Sequence, residues 1–560
     1  MNKENGSLRL SRREFLKTAA TGAAGVAVLG AVEGCATLGT EGESAGARDW
    51  LGRAPEIAES RIKETIETEV LICGAGTGGL FAGAATVEKG LKTLIIEKNI
   101  MAGIVRDDVG SIGSRLQEAE GSVLDKEEII ATHVQYSAAR VDQKLVRIWA
   151  DESGAAVDWY EGLFNANPQA GKLWHEGGYD RIHQGFYKKF PTGHSPEWNP
   201  AYGSGATLLS EYIISKGGEI RFSTPLVKLE SLGRRVTGAI AGSESQGYVR
   251  IKAAKGVIIA TGGYQQNSRM MQALQPDTYN LMPPFRDGSN AGDGIKACLW
   301  LGAEMDDVHT SMLFDRRALL PTETPATAPN TRSEMFWIGS QPFLKLNLRG
   351  ERFFNESAPY DFSLHAASLQ PGKCFVSIFD GNYLEDIQRF DTVGCSRIYP
   401  YPNGAPPNIP VPAILGMNEG LKAGGFLVEA DTLEELARKA NLSAENLSAA
   451  VARYNALYDQ QRDEDFFKEA YRLSAIRTPP YYAIRVAAHF LCTLDGVRID
   501  TRMRPLDTEG SAFEGIHVIG DASGSFFAHT YPNLFTGEAC GRTLTFARRV
   551  ARFLNGEQMG

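Results

Sequence analysis

Residues 68–98 begin Thr-Glu-Val-Leu-Ile-Cys-Gly-Ala-Gly-Thr-Gly-Gly and end Leu-Lys-Thr-Leu-Ile-Ile-Glu-Lys. An apolar strand, a glycine-rich turn, an alanine-rich helix and a second apolar strand in this order are typical of a dinucleotide-binding unit. Gly74 suits the tight turn, Gly76 lets the backbone approach a pyrophosphate, and Gly79 lets the helix pack closely. Glu97, after the second strand, can accept hydrogen bonds from ribose hydroxyls. The stretch predicts a nucleotide-binding α/β domain.

Three later segments indicate which dinucleotide is bound. Residues 252–264 have the composition of a buried strand ending in Ala-Thr-Gly-Gly-Tyr, and Gly-Asp-Gly at 292–294 opens a helix. Near the C-terminus, residues 516–521 form one more strand pattern that ends in Gly-Asp. A nicotinamide site needs one such fingerprint, whereas a domain that returns to the nucleotide from both ends of the chain suits the longer FAD.

With these segments the chain resembles the fumarate reductase/succinate dehydrogenase flavoprotein family, within which 3-ketosteroid dehydrogenases also fall. The resemblance covers nearly all of 66–550. It includes Gly-Glu-Arg-Phe-Phe-Asn-Glu at 350–356, Val-Ala-Arg-Tyr-Asn-Ala-Leu at 451–457 and Pro-Pro-Tyr-Tyr-Ala at 479–483. It implies an α/β fold, in which a Rossmann-like FAD-binding domain carries an inserted α+β capping domain that closes over the isoalloxazine.

The expected domain bounds follow from this resemblance and from local composition. We expect the FAD-binding domain over 66–309, the capping domain over 310–478, and a return to the FAD-binding domain over 479–560. Within the capping segment, 374–379 has the pattern of a strand, and helices are expected over 432–440 and 443–458.

The fingerprint and the resemblance together give a set of expected cofactor residues. By resemblance, Glu97 holds the adenosine ribose, and Asp521 replaces the usual glutamate beside the ribityl chain. We expect FAD to be bound without a covalent link, because no His or Cys lies at an attachment point in 97–113. The full set is Gly74, Ala75, Gly76, Gly78, Gly79, Glu97, Lys98, Ala260, Thr261, Gly262, Asp293, Asp521 and Gly537.

The catalytic segments depart from the dicarboxylate-reducing members of the family. Those members carry an arginine a few residues beyond the Asn-Glu of the 350–356 motif, where this chain has Tyr360. The arginine clamp is missing, so we expect the site to be poorly suited to fumarate or succinate. Asn-Glu-Ser-Ala-Pro-Tyr and His-Thr-Tyr-Pro instead resemble ketosteroid dehydrogenases, which implies that Tyr360 transfers a proton and Tyr531 holds a ketone oxygen. The resemblance fades after Pro532, which makes a steroid substrate doubtful.

Core packing is the alternative explanation for both tyrosines, and His489 and His529 are further candidates for the pocket. An unperturbed phenol has a pKa of about 10, so at neutral pH it is ready to act as an acid. This favours reduction of an activated C=C bond in an α,β-unsaturated acid or ketone. The alternatives are a 3-ketosteroid-type dehydrogenase and a flavin-carrying electron-transfer subunit.

The N-terminus indicates an exported protein. Ser-Arg-Arg-Glu-Phe-Leu-Lys at 11–17, followed by a weakly apolar stretch, predicts a twin-arginine signal within 1–40, with a polar linker over 41–65. Cys35 is a possible lipid anchor. No later stretch reaches the roughly 20 apolar residues of a membrane span. We therefore expect a periplasmic or envelope-exterior enzyme fed by an external partner, such as a periplasmic cytochrome or a quinol-linked donor.

Composition limits the remaining choices. A net charge of −9 argues against nucleic acid or an anionic membrane as a partner. Seven scattered cysteines form no CxxC or CxxCH, so we expect neither a c-type haem nor an iron–sulfur relay. Residues 160–205 are rich in aromatics, His and Gly without periodicity, and we expect a long loop over the pocket rather than the alternative, a metal site.

Overall fold

The computed structural model describes residues 49–177, 181–182, 188–282, 288–332, 334–392 and 394–558. The expected signal over 1–40, Cys35 and the first part of the expected linker lie outside these residues. The strands are β1 Ile62–Cys73, β2 Thr93–Ile96, β3 Val109–Gly110, β4 Gly171–His175, β5 Arg181–Ile182, β6 Lys188–Lys189, β7 Gly193–Trp198, β8 Glu219–Arg221, β9 Leu226–Leu232, β10 Arg235–Ser243, β11 Gly247–Ile259, β12 Ser311–Leu319, β13 Leu344–Leu346, β14 Phe375–Phe379, β15 Leu427–Ala430, β16 Tyr481–Thr493 and β17 Ile516–Val518.

The helices fall mainly between the strands of the first sheet and within the segment that follows it. They are α1 Thr77–Glu88, α2 Arg115–Ala119, α3 Lys126–Tyr136, α4 Gln143–Ala166, α5 Gly205–Ser215, α6 Ser268–Leu274, α7 Pro276–Tyr279, α8 Asp293–Trp300, α9 Tyr360–Ser368, α10 Tyr383–Phe390, α11 Val411–Ala423, α12 Leu433–Ala440, α13 Ala444–Gln460 and α14 Glu538–Leu554. Across the described residues, no helix combines the length and the apolar character that a membrane span requires.

The first sheet carries the dinucleotide fingerprint and has the strand order β8-β2-β1-β11-β10-β9, with β17 also paired to β11. The pairs β1–β2, β1–β11, β2–β8 and β11–β17 are parallel. Strand β1 begins at Ile62, well before the apolar run over 70–73. The first half of β1 is partly exposed and carries polar residues, so the sequence pattern did not indicate a strand there. The last four residues are fully buried.

The second sheet is antiparallel and has the order β12-β16-β14-β13, with β15 beside β16. The helices α12 and α13 and the strand β14 lie where the capping segment was expected to have them. Strand β16 pairs with β12, β14 and β15, although the expected capping segment ends at residue 478. We therefore propose that the capping unit continues to about residue 493.

The expectation of a long loop over 160–205 is wrong for much of this segment. Helix α4 continues to Ala166, and β4 and β7 form an antiparallel pair that β3 joins as a three-stranded sheet. His194 pairs with both His175 and Val109 in this sheet. Polar and aromatic residues in short strands give no periodicity, and the third strand comes from a distant part of the chain. Tyr179, His183 and Tyr187, from the same segment, lie outside the described residues.

Together these elements form an α/β fold in which a Rossmann-like, mainly parallel sheet carries an inserted α+β unit. The larger core surrounds the first sheet, and separate apolar clusters fill the inserted unit.

Candidate active site

A cavity of about 440 Å³ opens at the carboxyl ends of β1, β2 and β11. Ligands of open α/β sheets bind at this edge, and the volume lies within the range of cofactor sites. Most of the expected cofactor residues line it: Gly74, Gly76, Gly78, Glu97, Lys98, Ala260, Thr261, Gly262, Asp293 and Asp521.

Glycine is required at two positions, one in the turn between β1 and α1 and one in the first turn of α1. Gly74 has a φ of +104°, and a Cβ there would lie 2.5 Å from the carbonyl oxygen of Ala260. A Cβ on Gly79 would lie 1.8 Å from the carbonyl oxygen of Gly74, because α1 packs directly on the turn. A Cβ on Gly76 would meet nothing within 4 Å. The backbone at the start of α1 is therefore open to the cavity, as a helix N-terminus that binds phosphate must be.

The carboxylate of Glu97 is buried at the end of β2 and has three hydrogen bonds. One oxygen accepts from the backbone N–H of Ala75 at 2.8 Å. The other accepts from the backbone N–H and the side-chain amide of Asn99, at 2.9 and 2.8 Å. A carboxylate has about four acceptor positions, so capacity remains for a ribose hydroxyl.

Two ion pairs bring distant segments together at the cavity. Lys98 Nζ lies 2.6 Å from an oxygen of Asp293, which joins the end of β2 to the start of α8. Arg106 lies 2.8 Å from an oxygen of Asp521. Sequence reasoning missed Arg106, because it lies beyond the fingerprint in a segment without a motif. The other cavity residues that it missed include Asn99, Gln265, Asn290, Leu491, Cys540 and Thr543.

Three expected cofactor residues do not line the cavity. Ala75 lies in the turn, where its backbone N–H donates to Glu97. Gly79 lies in α1, where it packs against the turn. Gly537 precedes α14 with a φ of +74°, and a Cβ there would lie 2.7 Å from the backbone nitrogen of Gly110. Its role in the structure is close backbone packing.

Tyr360 is the first residue of α9, and its ring packs on that of Phe314 with the ring centroids 4.6 Å apart. It lines a separate cavity of about 30 Å³, together with Arg472 and Asn533. Burial raises the pKa of the Tyr360 phenol well above its usual value, and the charges of nearby residues, among them Tyr531, add to this. Arg472 lines this small cavity and is 3% exposed. A buried arginine therefore lies beside Tyr360, although it comes from a segment remote from the 350–356 motif.

Tyr531 is 4% exposed, and its ring packs on Phe527 with the centroids 5.4 Å apart. Its hydroxyl oxygen accepts from the backbone N–H of Ala539 at 3.3 Å. Burial and the Glu538 carboxylate raise the pKa of this phenol as well. Both phenols are therefore protonated at neutral pH.

The two candidate histidines have different surroundings. His489 is half-buried on β16, and burial together with the charges of Arg317 and Arg316 lowers its pKa to about 4. His529 is exposed, with a φ of +64°. Neither is among the residues that line the 440 Å³ cavity. Among the described residues, no group of three or more His, Cys, Asp or Glu side chains is arranged to hold a metal ion.

Comparisons with known proteins agree with this geometry. Residues 69–533 match the FAD binding domain family. A vinyl phenol reductase of Lactiplantibacillus plantarum is 24% identical over 86% of this chain and 95% of that protein. A 3-oxosteroid 1-dehydrogenase of Mycobacterium tuberculosis is 30% identical over 54% of this chain and 53% of that protein.

The fold also resembles the solved open conformation of a flavocytochrome c3 fumarate reductase. The TM-score is 0.64 at 23% identity, over 88% of this chain and 79% of that chain. The cavity at the sheet edge, the turn that requires glycine and the family match agree on the cofactor. The chain belongs to the FAD binding domain family and is an FAD-dependent oxidoreductase that acts on carbon–carbon bonds.

Proposed function

We propose that this enzyme reduces an activated C=C bond of an α,β-unsaturated acid or ketone, with Tyr360 as the proton donor. Bound FAD supplies hydride through its N5 atom. The observation that carries the proposal is a pair of tyrosines, Tyr360 half-buried and Tyr531 buried, whose segments are joined through the hydrogen bonds of Asp361, and burial raises the pKa of both phenols. A phenol that stays protonated can act as an acid, and the substrate carbon next to the site of hydride transfer needs a proton donor.

Within this proposal the two tyrosines have different tasks. Tyr360 holds its proton at the hydroxyl and gives it to the substrate carbon. Tyr531, whose hydroxyl oxygen accepts a hydrogen bond from the backbone N–H of Ala539, donates a hydrogen bond to a carbonyl or carboxyl oxygen of the substrate. The residues around the 440 Å³ cavity, led by Glu97, hold the cofactor.

A 3-ketosteroid-type dehydrogenase is the second candidate, because the 3-oxosteroid 1-dehydrogenase relative is 30% identical over about half of this chain. That reaction requires the phenol to act as a base, which burial disfavours since it destabilises the phenolate. The vinyl phenol reductase relative, which extends over most of both chains, favours reduction. The family assignment makes the chain an enzyme, which argues against an electron-transfer subunit without a substrate of its own.

We further propose export by the twin-arginine route to the periplasm or the envelope exterior. The support is the Ser-Arg-Arg-Glu-Phe-Leu-Lys sequence at 11–17 and the weakly apolar stretch that follows it. Cys35 is the proposed anchor point if the exported chain is lipidated.

An anaerobic screen tests the proposed reaction. Reduced methyl viologen serves as donor, and enoates, aryl acrylates, vinyl phenols and enones serve as acceptors. Ketosteroids are tested in the reverse direction with a dye as electron acceptor. We expect viologen oxidation that depends on an acceptor with a C=C bond. If ketosteroids reduce the dye and no acceptor oxidises the viologen, the proposed reductase is wrong and the dehydrogenase hypothesis is supported.

A further inference from the structure

Asp361 is a buried carboxylate that has no part in the reaction proposed above. It follows Tyr360 in the first turn of α9 and is 1% exposed. Its carboxylate accepts hydrogen bonds from the hydroxyl of Thr530 and, at 2.5 Å, from the side-chain amide of Asn533. These two donors flank Tyr531 on the same short segment. One side chain therefore connects the two segments that carry the candidate catalytic tyrosines.

Burying a carboxyl group at this position costs free energy, which indicates that its hydrogen bonds serve to position neighbouring residues. Burial disfavours the charged form of this carboxyl group and raises its pKa to about 8. An apolar residue would fill the same space at a lower cost in free energy. A carboxylate that accepts from two side chains instead fixes direction as well as distance, because hydrogen bonds weaken steeply when misaligned.

The same bonds orient Asn533. Its amide nitrogen donates to Asp361, while its Oδ1 atom is buried and has no hydrogen-bond partner in the described part of the chain. Asn533 lines the small cavity that Tyr360 also lines. Loss of the Asp361 carboxylate would free both the Tyr531 segment and the wall of the Tyr360 cavity to move.

We infer that Asp361 is a positioning residue, which holds the segment carrying Tyr531 against α9 so that the two phenols keep a fixed relative placement. This rests on the proposed function, in which both phenols contact the substrate. Asp361 itself does not contact the substrate. Its effect reaches turnover through the placement of the two hydroxyl groups.

The test uses the full enzyme with FAD, reduced methyl viologen and the best acceptor from the screen. Asp361→Asn keeps the size of the side chain but leaves one acceptor oxygen, so the side chain can no longer accept from both Thr530 and Asn533. We expect kcat to fall by roughly 10- to 100-fold, the cost of a misplacement of about 1 Å. FAD content and full reduction by dithionite should remain as in the unchanged enzyme. Asp380→Asn is the matched control, since Asp380 is another buried aspartate of the inserted unit and accepts from the backbone N–H groups of Asn382, Arg477 and Thr478.

Thr530 supplies a second and milder test in case Asp361→Asn does not fold. Thr530→Val removes the hydroxyl that donates to Asp361 and keeps the shape of the side chain, so kcat should fall. Thr530→Ser keeps a hydroxyl, so its kcat should stay close to that of the unchanged enzyme. In a Tyr360→Phe background, Asp361→Asn should lower kcat little further, because the relative placement of the two hydroxyls no longer matters once one of them is gone.

The outcomes separate this inference from the proposed function. Asp361→Asn or Thr530→Val with unchanged kcat, or full additivity with Tyr360→Phe, would overturn the positioning role. If Tyr360→Phe itself turns over as the unchanged enzyme does, the proposed proton donor fails, and that result does not depend on Asp361.

Discussion

Glu97 accepts a hydrogen bond from the backbone N–H of Ala75 at 2.8 Å, which ties the end of β2 to the turn that follows β1. The carboxylate thus supports the glycine-rich turn and also lines the cavity. Its backbone partner explains why an acidic residue at this distance from the glycines accompanies the turn.

Glu97→Gln should weaken FAD binding. The amide nitrogen cannot accept, so either the bond from Ala75 or the two bonds from Asn99 are lost, and the charge-assisted bond to the ribose is weakened, at a cost on the order of 2–3 kcal/mol. Equilibrium dialysis against free FAD measures the change. Glu88→Gln on the exposed face of α1 is the control. Equal FAD affinity in all three proteins would show that Glu97 is not at the ribose.

FAD should be released by denaturation, because residues 97–113 contain neither His nor Cys. Acid precipitation of the purified protein should leave the yellow colour in the supernatant, and its absorbance against the protein amount gives the stoichiometry. Colour that stays with the precipitate after repeated washing would mean a covalent link.

Tyr360→Phe should separate chemistry from packing. The ring that packs on Phe314 remains, while the proton donor is lost, so kcat should fall by roughly 10²–10⁴-fold. The melting temperature and the FAD content should hardly change. Tyr531→Phe should mainly raise KM if that hydroxyl only holds a carbonyl oxygen.

Steady-state kinetics with reduced viologen measure both parameters for each variant. Near-unchanged kcat in Tyr360→Phe would rule out its role as the donor, and His489 would be the next residue to change, since His529 is exposed.

His194 should make the enzyme less stable in mild acid. Burial, together with the charge of His175, lowers its pKa to about 3, while the unfolded chain has a value of about 6.5. Above pH 6.5 both states are neutral, and the stability from the neutral ring is fully present. As the pH falls from 6.5 towards 3 the unfolded state alone takes up the proton, and stability is lost by at most about 1.4 kcal/mol per pH unit.

Melting temperatures of the enzyme and of His194→Gln between pH 7.5 and 5 check this effect. The variant starts lower but should fall less steeply with acid. Ser114→Ala removes the hydroxyl that lies 2.8 Å from His194 Nε2 and keeps the histidine, so its slope should stay as steep as that of the unchanged enzyme. Identical slopes for His194→Gln and the unchanged enzyme would contradict the prediction.

Changing Arg12 and Arg13 to Lys should keep the protein in the cytoplasm. The twin-arginine route exports folded proteins, so the retained variant should still bind FAD and be yellow. Cell fractionation with an immunoblot locates the chain. Export that survives the double change would rule out this route.

The features that the sequence predicted are those encoded by neighbouring residues. The turn after β1 follows from Gly74 and Gly79, where a Cβ would collide with the backbone. The start of α8 follows from Gly-Asp-Gly at 292–294, and the strand β14 follows from an apolar run. Glu97 could be predicted as a residue of the cavity because a single helix, α1, separates the glycine-rich turn from the strand that Glu97 follows.

The tertiary structure alone decided what depends on pairing between distant segments. Strand β16 joins the second sheet through β12, β14 and β15, and the polar strands β4 and β7 form a sheet with β3. Arg472 reaches the Tyr360 cavity, and Asp361 contacts Thr530, although each pair is far apart in sequence. Local periodicity reports only which side of an element is buried. Which segment covers that side is settled when the whole chain has folded and each buried polar group has found its partner.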